Sequence, residues 1–252
     1  VLLQTLAVQG LVKKFNSRTV VNHVDLQVND NEIVGLLGPN GAGKTTTFSM
    51  IVGITRPNEG QILFNDTDIT QLPMYKRSRL GVGYLAQEAS VFRKLTVEEN
   101  VLGILETMKL SRSECRDRLE AALEELGLAH LRNSPAYTLS GGERRRVEIA
   151  RALVTEPKFM LLDEPFSGVD PRAVEDLQVI IRQMRAKGLG VLITDHNVRE
   201  TLTVTDRSYV IHEGKVMISG TAETLINDPR ARELYFGEGF YMRLDNPKGE
   251  RN

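Results

Sequence analysis

Eight consecutive residues, Gly38-Pro39-Asn40-Gly41-Ala42-Gly43-Lys44-Thr45, fill every specified position of the pattern G-x-x-x-x-G-K-[ST]. An apolar, strand-like run, Ile33-Val34-Gly35-Leu36-Leu37, precedes them, and a helix-like run from Thr46 to Val52 follows. A strand and a helix joined in this way form a loop that cradles phosphates. Its glycines let successive backbone N–H groups curl around phosphate oxygens with no side chain in the way. The helix that opens at Gly43 adds free N–H groups and the positive end of its dipole. Lys44 is of the type that reaches β- and γ-phosphates, and the Thr45 hydroxyl of the type that holds Mg²⁺. A glycine-rich turn without a ligand is the bland alternative; the filled pattern and its flanks favour nucleotide binding.

Phe159-Met160-Leu161-Leu162-Asp163-Glu164 is an apolar strand that delivers two acids at its end. A carboxylate in the first position, Asp163, suits a Mg²⁺ ion beside the phosphate loop, through a coordinated water. Glu164 is free for a different task, polarising an attacking water as general base. In Leu139-Ser140-Gly141-Gly142-Glu143, Ser140 can cap the helix that follows, and the glycines bare its N–H groups as a second anion site. Taken alone, that segment could equally be a helix-starting turn.

The elements that must position these groups follow from periodicity. Thr5 to Val12 and Thr19 to Val28 alternate apolar and polar residues, as half-buried antiparallel strands do, about a turn Lys14-Phe15-Asn16-Ser17-Arg18. Asn58-Glu59-Gly60 reads as a turn, Gln61 to Phe64 as a short strand, and Leu80 to Leu85 as another that leads to Gln87. Thr96 to Lys109 is a predicted helix with Glu99 three residues after its cap. Ser111 to Leu126 is a second, with Leu119, Ala122, Leu123 and Leu126 on one face. A third helix runs from the Ser-Gly-Gly turn to about Val154. Pro171 starts a helix to Ala186, Val191 to Thr194 is a buried strand ending in Asp195-His196, and two short strands flank Glu213-Gly214. Strands alternating with helices predict an α/β fold: a mostly parallel sheet with flanking helices, an antiparallel N-terminal β subdomain and a helical insert.

A chain of 252 residues with 41% hydrophobic and 26% charged residues reads as ordinary globular protein. Its formal net charge of −1 gives no global pull toward nucleic acid or anionic lipid. Cys115 is the only cysteine, so no disulfide forms within the chain; its charged surroundings make it incidental. No apolar run approaches the roughly 18 residues of a membrane span, and Val1-Leu2-Leu3-Gln4 does not read as a secretory signal. Any membrane role is expected to be peripheral.

The joint set Gly38–Thr45, Gln87, Leu139–Glu143, Leu162–Glu164, Ser167-Gly168-Val169-Asp170 and His196, in this order and spacing, resembles the ATPase subunit of an ABC transporter over nearly the whole chain. The resemblance implies a P-loop NTPase core with the β subdomain over 1–86 and 157–236, a helical subdomain over 87–156 and a tail over 237–252. It implies ATP and Mg²⁺ as cofactors, ATP being held by Phe15 against adenine and by Gly38, Pro39, Asn40, Gly41, Ala42, Gly43, Lys44, Thr45, Thr46 and Gln87. Thr45, Gln87 and Asp163 would serve the metal, and Lys44, Glu164 and His196 hydrolysis. Ser140, Gly141, Gly142 and Asp170 would act in trans, on ATP held by a second copy in a head-to-tail homodimer. Phe15 stands where Tyr is commoner, and Glu143 where Gln is usual; the latter leaves the Ser and Gly donors untouched.

Within that family, Gly35 to Phe48 is similar to a branch holding branched-chain amino-acid importers and the lipopolysaccharide exporter of Gram-negative bacteria. Tyr84 to Leu95, Leu139 to Ala152 and Leu189 to Leu202 favour the exporter, with Ala86 where Pro is usual. That resemblance implies a cytoplasmic protein, peripheral on the inner face of the inner membrane, whose membrane contact is indirect. The transmembrane subunits would be separate chains, docked at Phe92 and Arg93. Nucleic acid is not an expected partner, since soluble ABC ATPases that serve ribosomes or DNA repair usually fuse two cassettes or carry a long coiled-coil insert.

Overall fold

The structure is a computed structural model that describes residues 4–237, 239, 240 and 242. Val1 to Leu3, and within the expected tail residues 238, 241 and 243–252, lie outside the described residues.

Strands β1 (Thr5–Phe15) and β2 (Arg18–Asn29) pair antiparallel, and their alternation buries Leu6, Val8 and Leu11 with Val21, Val24, Leu26 and Val28. Backbone pairing runs past the last buried side chains to Phe15↔Arg18, so the turn is only Asn16-Ser17 rather than Lys14–Arg18. Asn16 takes φ 53°, a left-handed conformation that Asn tolerates. The phosphate-loop elements follow as β3 (Ile33–Leu37), buried throughout, and α1 (Lys44–Val52). β4 (Glu59–Phe64) includes Glu59 and Gly60, which pair with β1 rather than forming the expected free turn, and β5 (Thr67–Asp68) completes the sheet.

Helix α2 (Met74–Leu80) has no counterpart in the sequence reading, and it takes Leu80 out of the expected strand, which begins at Val82 as β6 (Val82–Leu85). Its Met74, Tyr75 and Leu80 are exposed, so apolar periodicity carries no signal there. A polar anchor holds it instead. Arg77, 1% exposed, donates to the carbonyls of Met50 and Ile51 (both 2.6 Å), Thr70 (2.7 Å) and Leu72 (2.8 Å). Two of those carbonyls belong to the last turn of α1, so a cation sits where the helix dipole is negative. Burial pushes this guanidinium down to about 10.

Between β6 and the next sheet strand lie α3 (Val97–Leu105), α4 (Arg112–Glu125) and α5 (Gly141–Leu153). Each opens with a capping box: Thr96 with Glu99, Ser111 with Glu114, Ser140 with Glu143. α3 stops short of Lys109, with the Thr107 hydroxyl turned onto the Ile104 carbonyl (2.7 Å). The predicted stripe of α4 is buried, and half-buried Cys115 packs beside it. These helices share one apolar core with the sheet residues Ile33, Met160, Leu162, Val191 and Ile193.

The chain continues through β7 (Phe159–Asp163), α6 (Pro171–Ala186), β8 (Gly190–Thr194), α7 (Val198–Val204), β9 (Arg207–His212), β10 (Lys215–Gly220) and α8 (Ala222–Asn227). The main sheet has the order β10-β9-β3-β8-β7-β6, parallel except for β10, and the N-terminal sheet the order β2-β1-β4-β5. A second core, built from β1, β2, β4 and α1 against the other face of the main sheet, joins the two sheets. In this arrangement the C-terminal ends of β3, β6, β7 and β8 come out along one edge, which is where open parallel sheets bind ligands.

Candidate functional site

The glycine-rich loop leaves the C-terminal end of β3 and is packed from behind. A Cβ on Gly38 (φ 153°) would lie 2.1 Å from the Ile211 carbonyl oxygen on β9, so only glycine allows this approach. The Gly214 N–H donates to the Ala42 carbonyl (3.0 Å). α1 starts at Gly43 (φ 103°) with no side-chain cap, which leaves its first N–H groups to an anion. The buried Lys44 ammonium donates to the carbonyls of Gly38 (2.7 Å) and Pro39 (3.0 Å), spanning the loop it closes. Burial draws it below the usual lysine range, and the Glu164 and Asp163 carboxylates oppose that shift. Thr45 is exposed, Thr46 half-buried, and the next hydroxyl, Thr47, is turned away onto the Gly43 carbonyl (2.9 Å). Phe15 is 48% exposed at the tip of the β1–β2 hairpin, with the Lys13 ammonium 5.1 Å from its ring centre.

Beside the loop stands the acid pair. Register pairs Asp163 with Thr194 and Leu162 with Leu85, so the segments after β6, β7 and β8 emerge side by side. Glu164 adopts φ 49°, an uncommon conformation for a side-chain-bearing residue, and its N–H is held by the Thr194 carbonyl (2.7 Å). Its Oε2 receives the Gln87 amide (2.7 Å) and lies 2.8 Å from His196 Nε2. Three residues singled out from distant parts of the sequence therefore meet at one carboxylate oxygen. Asp163 is buried and contacts the Tyr84 hydroxyl (3.4 Å) through Oδ2, while Oδ1 is buried without a protein partner. A buried carboxylate oxygen left unpaired is costly unless a ligand or water satisfies it. Among the described residues no three His, Cys, Asp or Glu side chains cluster as a metal cage. The donor set, one hydroxyl and one carboxylate, fits a Mg²⁺ ion whose other ligands are substrate phosphates and water.

Ser140 and Asp170 share another border. Ser140 caps α5: its Oγ accepts from Glu143 N–H (3.2 Å), and the Glu143 carboxylate accepts from Ser140 N–H (2.8 Å). Those bonds hold the Glu143 carboxyl below its usual range. The serine hydroxyl keeps its own proton as a donor. Asp170 caps α6 through Ala173 N–H (3.0 Å), and both N-termini line one cleft with Arg146 and Arg172. A Cβ on Gly142 would lie 2.6 Å from the Ala173 Cβ, so this glycine is needed for helix approach as well as for bare N–H groups. Gly141 remains exposed at the start of α5. On the flank, Phe92 is 49% exposed with the Arg151 guanidinium 4.6 Å from its ring centre, and Arg93 is exposed next to it.

The profile of the family described as "ABC transporter" matches residues 21–167, more than half of the chain and inclusive of the phosphate loop, the Ser-Gly-Gly turn and the acid pair. This chain is an ABC transporter ATP-binding subunit. The ABC ATPase is 54% identical over 239 residues to the lipopolysaccharide export system ATP-binding protein LptB of Acidithiobacillus ferridurans, covering 95% of this chain and 99% of that one. It is 52% identical over 241 residues to LptB of Escherichia coli K12, covering 95% and 100%. An uncharacterized ABC transporter ATP-binding protein of Rhizobium meliloti is 56% identical over 238 residues, 94% of this chain and 88% of that one. Among solved structures, an ATP-binding cassette of an ABC transporter in its ADP conformation superposes with a TM-score of 0.84 at 30% identity, covering 93% and 99%. A nucleotide-free cassette gives the same TM-score and identity.

Two residues of the ABC ATPase site escaped the sequence reading. Buried Asp195 accepts from Phe166 N–H (2.9 Å) and Asn197 N–H (2.8 Å), tying the segment after Glu164 to the segment holding His196. Its one sequence signal is the adjacent His196. Tyr84 alternates toward the face of β6 that meets Asp163, which a four-residue strand is too short to announce.

Asp163 also gives a pH prediction. Burial first, then the neighbouring Glu164 carboxylate, pushes its carboxyl up to about 6. An Asp in an unfolded chain ionises near pH ~4. Between about pH 4 and 6 the folded protein therefore holds a proton that the unfolded chain has lost, and stability from this group falls as pH rises through that window. Measured in metal-free buffer, the melting temperature of the wild type relative to Asp163→Asn is expected to decline from pH ~4 to ~6 and then level off. A difference that rises with pH would refute the assignment.

Proposed function

We propose that this ABC ATPase powers lipopolysaccharide export, hydrolysing ATP at the cytoplasmic face of the inner membrane while separate transmembrane subunits handle the lipid. The observation that carries this reading is the near-full-length identity of 52–54% to LptB proteins of three bacteria. Among the described residues no helix is long and apolar enough to cross a membrane, so the lipid path is assigned to partner chains.

In this reading the loop Gly38–Thr46 binds the ATP phosphates, Lys44 bridges the β- and γ-phosphates, and Phe15 stacks on adenine. Thr45 and Asp163, the latter through water, with Gln87 beside them, would hold a Mg²⁺ ion, whose charge when bound would offset that of the phosphates. Glu164 takes a proton from the attacking water. His196 and Gln87, both on Oε2, orient the carboxylate so that Oε1 is left for that water. Ser140, Gly141 and Gly142, with Asp170, close on ATP bound to a second copy, making two equivalent sites in a head-to-tail homodimer. The Ser140 hydroxyl proton and the N–H groups of Gly141 and Gly142, which the capping box leaves unused, are the chemistry that suits a γ-phosphate.

Affinity purification from the native membrane, followed by identification of the co-purifying proteins and lipid, tests the assignment. Transmembrane subunits carrying lipopolysaccharide are expected; subunits of an amino-acid importer would overturn it. Exposed Phe92 and Arg93 are the proposed docking point for those subunits. Phe92→Ala is expected to leave ATP hydrolysis by the isolated chain within about twofold, because about half of the residue is exposed, and to reduce co-purification of the membrane subunits at least about tenfold, as loss of an aromatic anchor does. Loss of soluble folding in this variant would contradict the exposed position of the ring.

A further inference from the structure

Arg145 is one of three consecutive arginines on α5, and the only one of them that is buried. Its side chain and that of Glu148 are 7% and 3% exposed and pair at 2.9 Å. Such a pair is expensive to desolvate, and a packed apolar pair would serve a core at least as well. What distinguishes it is where the remaining donors and acceptors go. Arg145 Nη1 donates to the Ala86 carbonyl (2.8 Å), immediately before Gln87. Nη2 donates to the carbonyls of Asp163 (3.1 Å) and Glu164 (3.3 Å), which flank the Glu164 α-carbon. Glu148 accepts from Ser90 N–H (2.6 Å), three residues past Gln87. One planar guanidinium thus fixes the spacing between two backbones whose side chains, Gln87 and Glu164, meet at 2.7 Å. The same helix also holds Ser90 and Phe92 from outside, through the Arg151 bond to the Ser90 carbonyl (2.5 Å) and its stacking on Phe92.

We propose that Arg145, paired with Glu148, is a positioning residue for ATP hydrolysis: its fork fixes the Glu164 backbone in its left-handed conformation against the segment Ala86 to Ser90, so that α5 and the Glu164 carboxylate move as one body. The inference rests on the assignment of Glu164 as the base. Displacement of residues 88–92 reaches Glu164 through the exposed Ser90, whose N–H is held by buried Glu148, and then through buried Arg145. No residue of this path belongs to the Gly38–Thr46 loop, so the contacts that loop makes to ATP are expected to persist when the path is broken.

Arg145→Lys in the full-length chain tests this. The lysine keeps the charge beside Glu148, but a single ammonium cannot span the Ala86, Asp163 and Glu164 carbonyls. The expected result is a melting temperature close to wild type, a KM for MgATP within about threefold, and kcat lowered at least about tenfold, the cost of a misplaced catalytic group. A well-folded Arg145→Lys chain with kcat within about twofold of wild type would overturn the proposal. Should that variant fail to fold, the double variant Arg145→Met/Glu148→Leu, which leaves no unpaired charge, is read by the same criteria. If the double variant also fails to fold, the pair serves the fold alone and the positioning role is rejected. Glu164→Gln run in parallel separates the two layers: wild-type turnover there removes the base assignment itself, whatever Arg145 does.

Discussion

Glu164→Gln is expected to hydrolyse ATP about 10²–10⁴-fold more slowly than wild type while binding it normally. The side chain is isosteric, and its amide oxygen can still accept the Gln87 bond that Glu164 Oε2 receives at 2.7 Å, so the geometry of the loop survives. What disappears is the carboxylate proposed to take a proton from water. The nucleotide contacts proposed for the Gly38–Thr46 loop lie elsewhere and are untouched. The proposed dimer would then close around ATP and have no means of reopening by hydrolysis. Single-turnover hydrolysis and size-exclusion chromatography with MgATP read both consequences, a slow chemical step and a dimer that persists. Turnover at the wild-type rate would remove Glu164 from the chemistry. A slow enzyme that stays monomeric with ATP would leave the base in place but dismiss the head-to-tail assembly.

Lys44→Ala should act one step earlier. The ammonium is buried, crosses the loop to the Gly38 and Pro39 carbonyls, and is drawn below the usual lysine range by burial against the counter-pull of Glu164 and Asp163. A cation placed there meets two phosphates through charge-assisted bonds, each contributing about 1.5–3 kcal/mol. Losing both weakens MgATP binding by about 10²–10⁴-fold in isothermal titration. The fold should persist, because the loop is also held from behind by the Gly214 N–H bond to the Ala42 carbonyl (3.0 Å). Affinity within about threefold of wild type would mean that the glycine-loop N–H groups hold the nucleotide alone.

The two variants probe different parts of one design. A loop that binds phosphate is local: eight contiguous residues and the two elements that bracket them suffice. The proposed base is not local, since Glu164 is held by Gln87, His196 and the Thr194 carbonyl. That difference governs how much of each was legible. The strands and helices around the loop follow from period and caps: the Thr96–Glu99 box and the Ser140 cap appear where the sequence suggested them, while the boxes that Ser111 and Ser140 make with Glu114 and Glu143 emerge only in the structure. Helix α2 was invisible for the opposite reason. Its anchor is one buried arginine among exposed apolar residues, the inverse of the pattern that periodicity detects.

Sequence alone determined the chemistry available to this protein: a complete phosphate loop, a strand ending in two acids, and a serine-capped helix start, each encoded within a few adjacent residues. Only the tertiary structure decided that Gln87 and His196 share one oxygen of Glu164, that Asp163 keeps an unpaired oxygen beside Lys44, and that Arg145 rather than its two arginine neighbours is drawn inside. The physical reason is range. Local patterns are read from neighbours along the chain, whereas these contacts are made by the register of parallel strands β6, β7 and β8, which joins residues 77 positions apart.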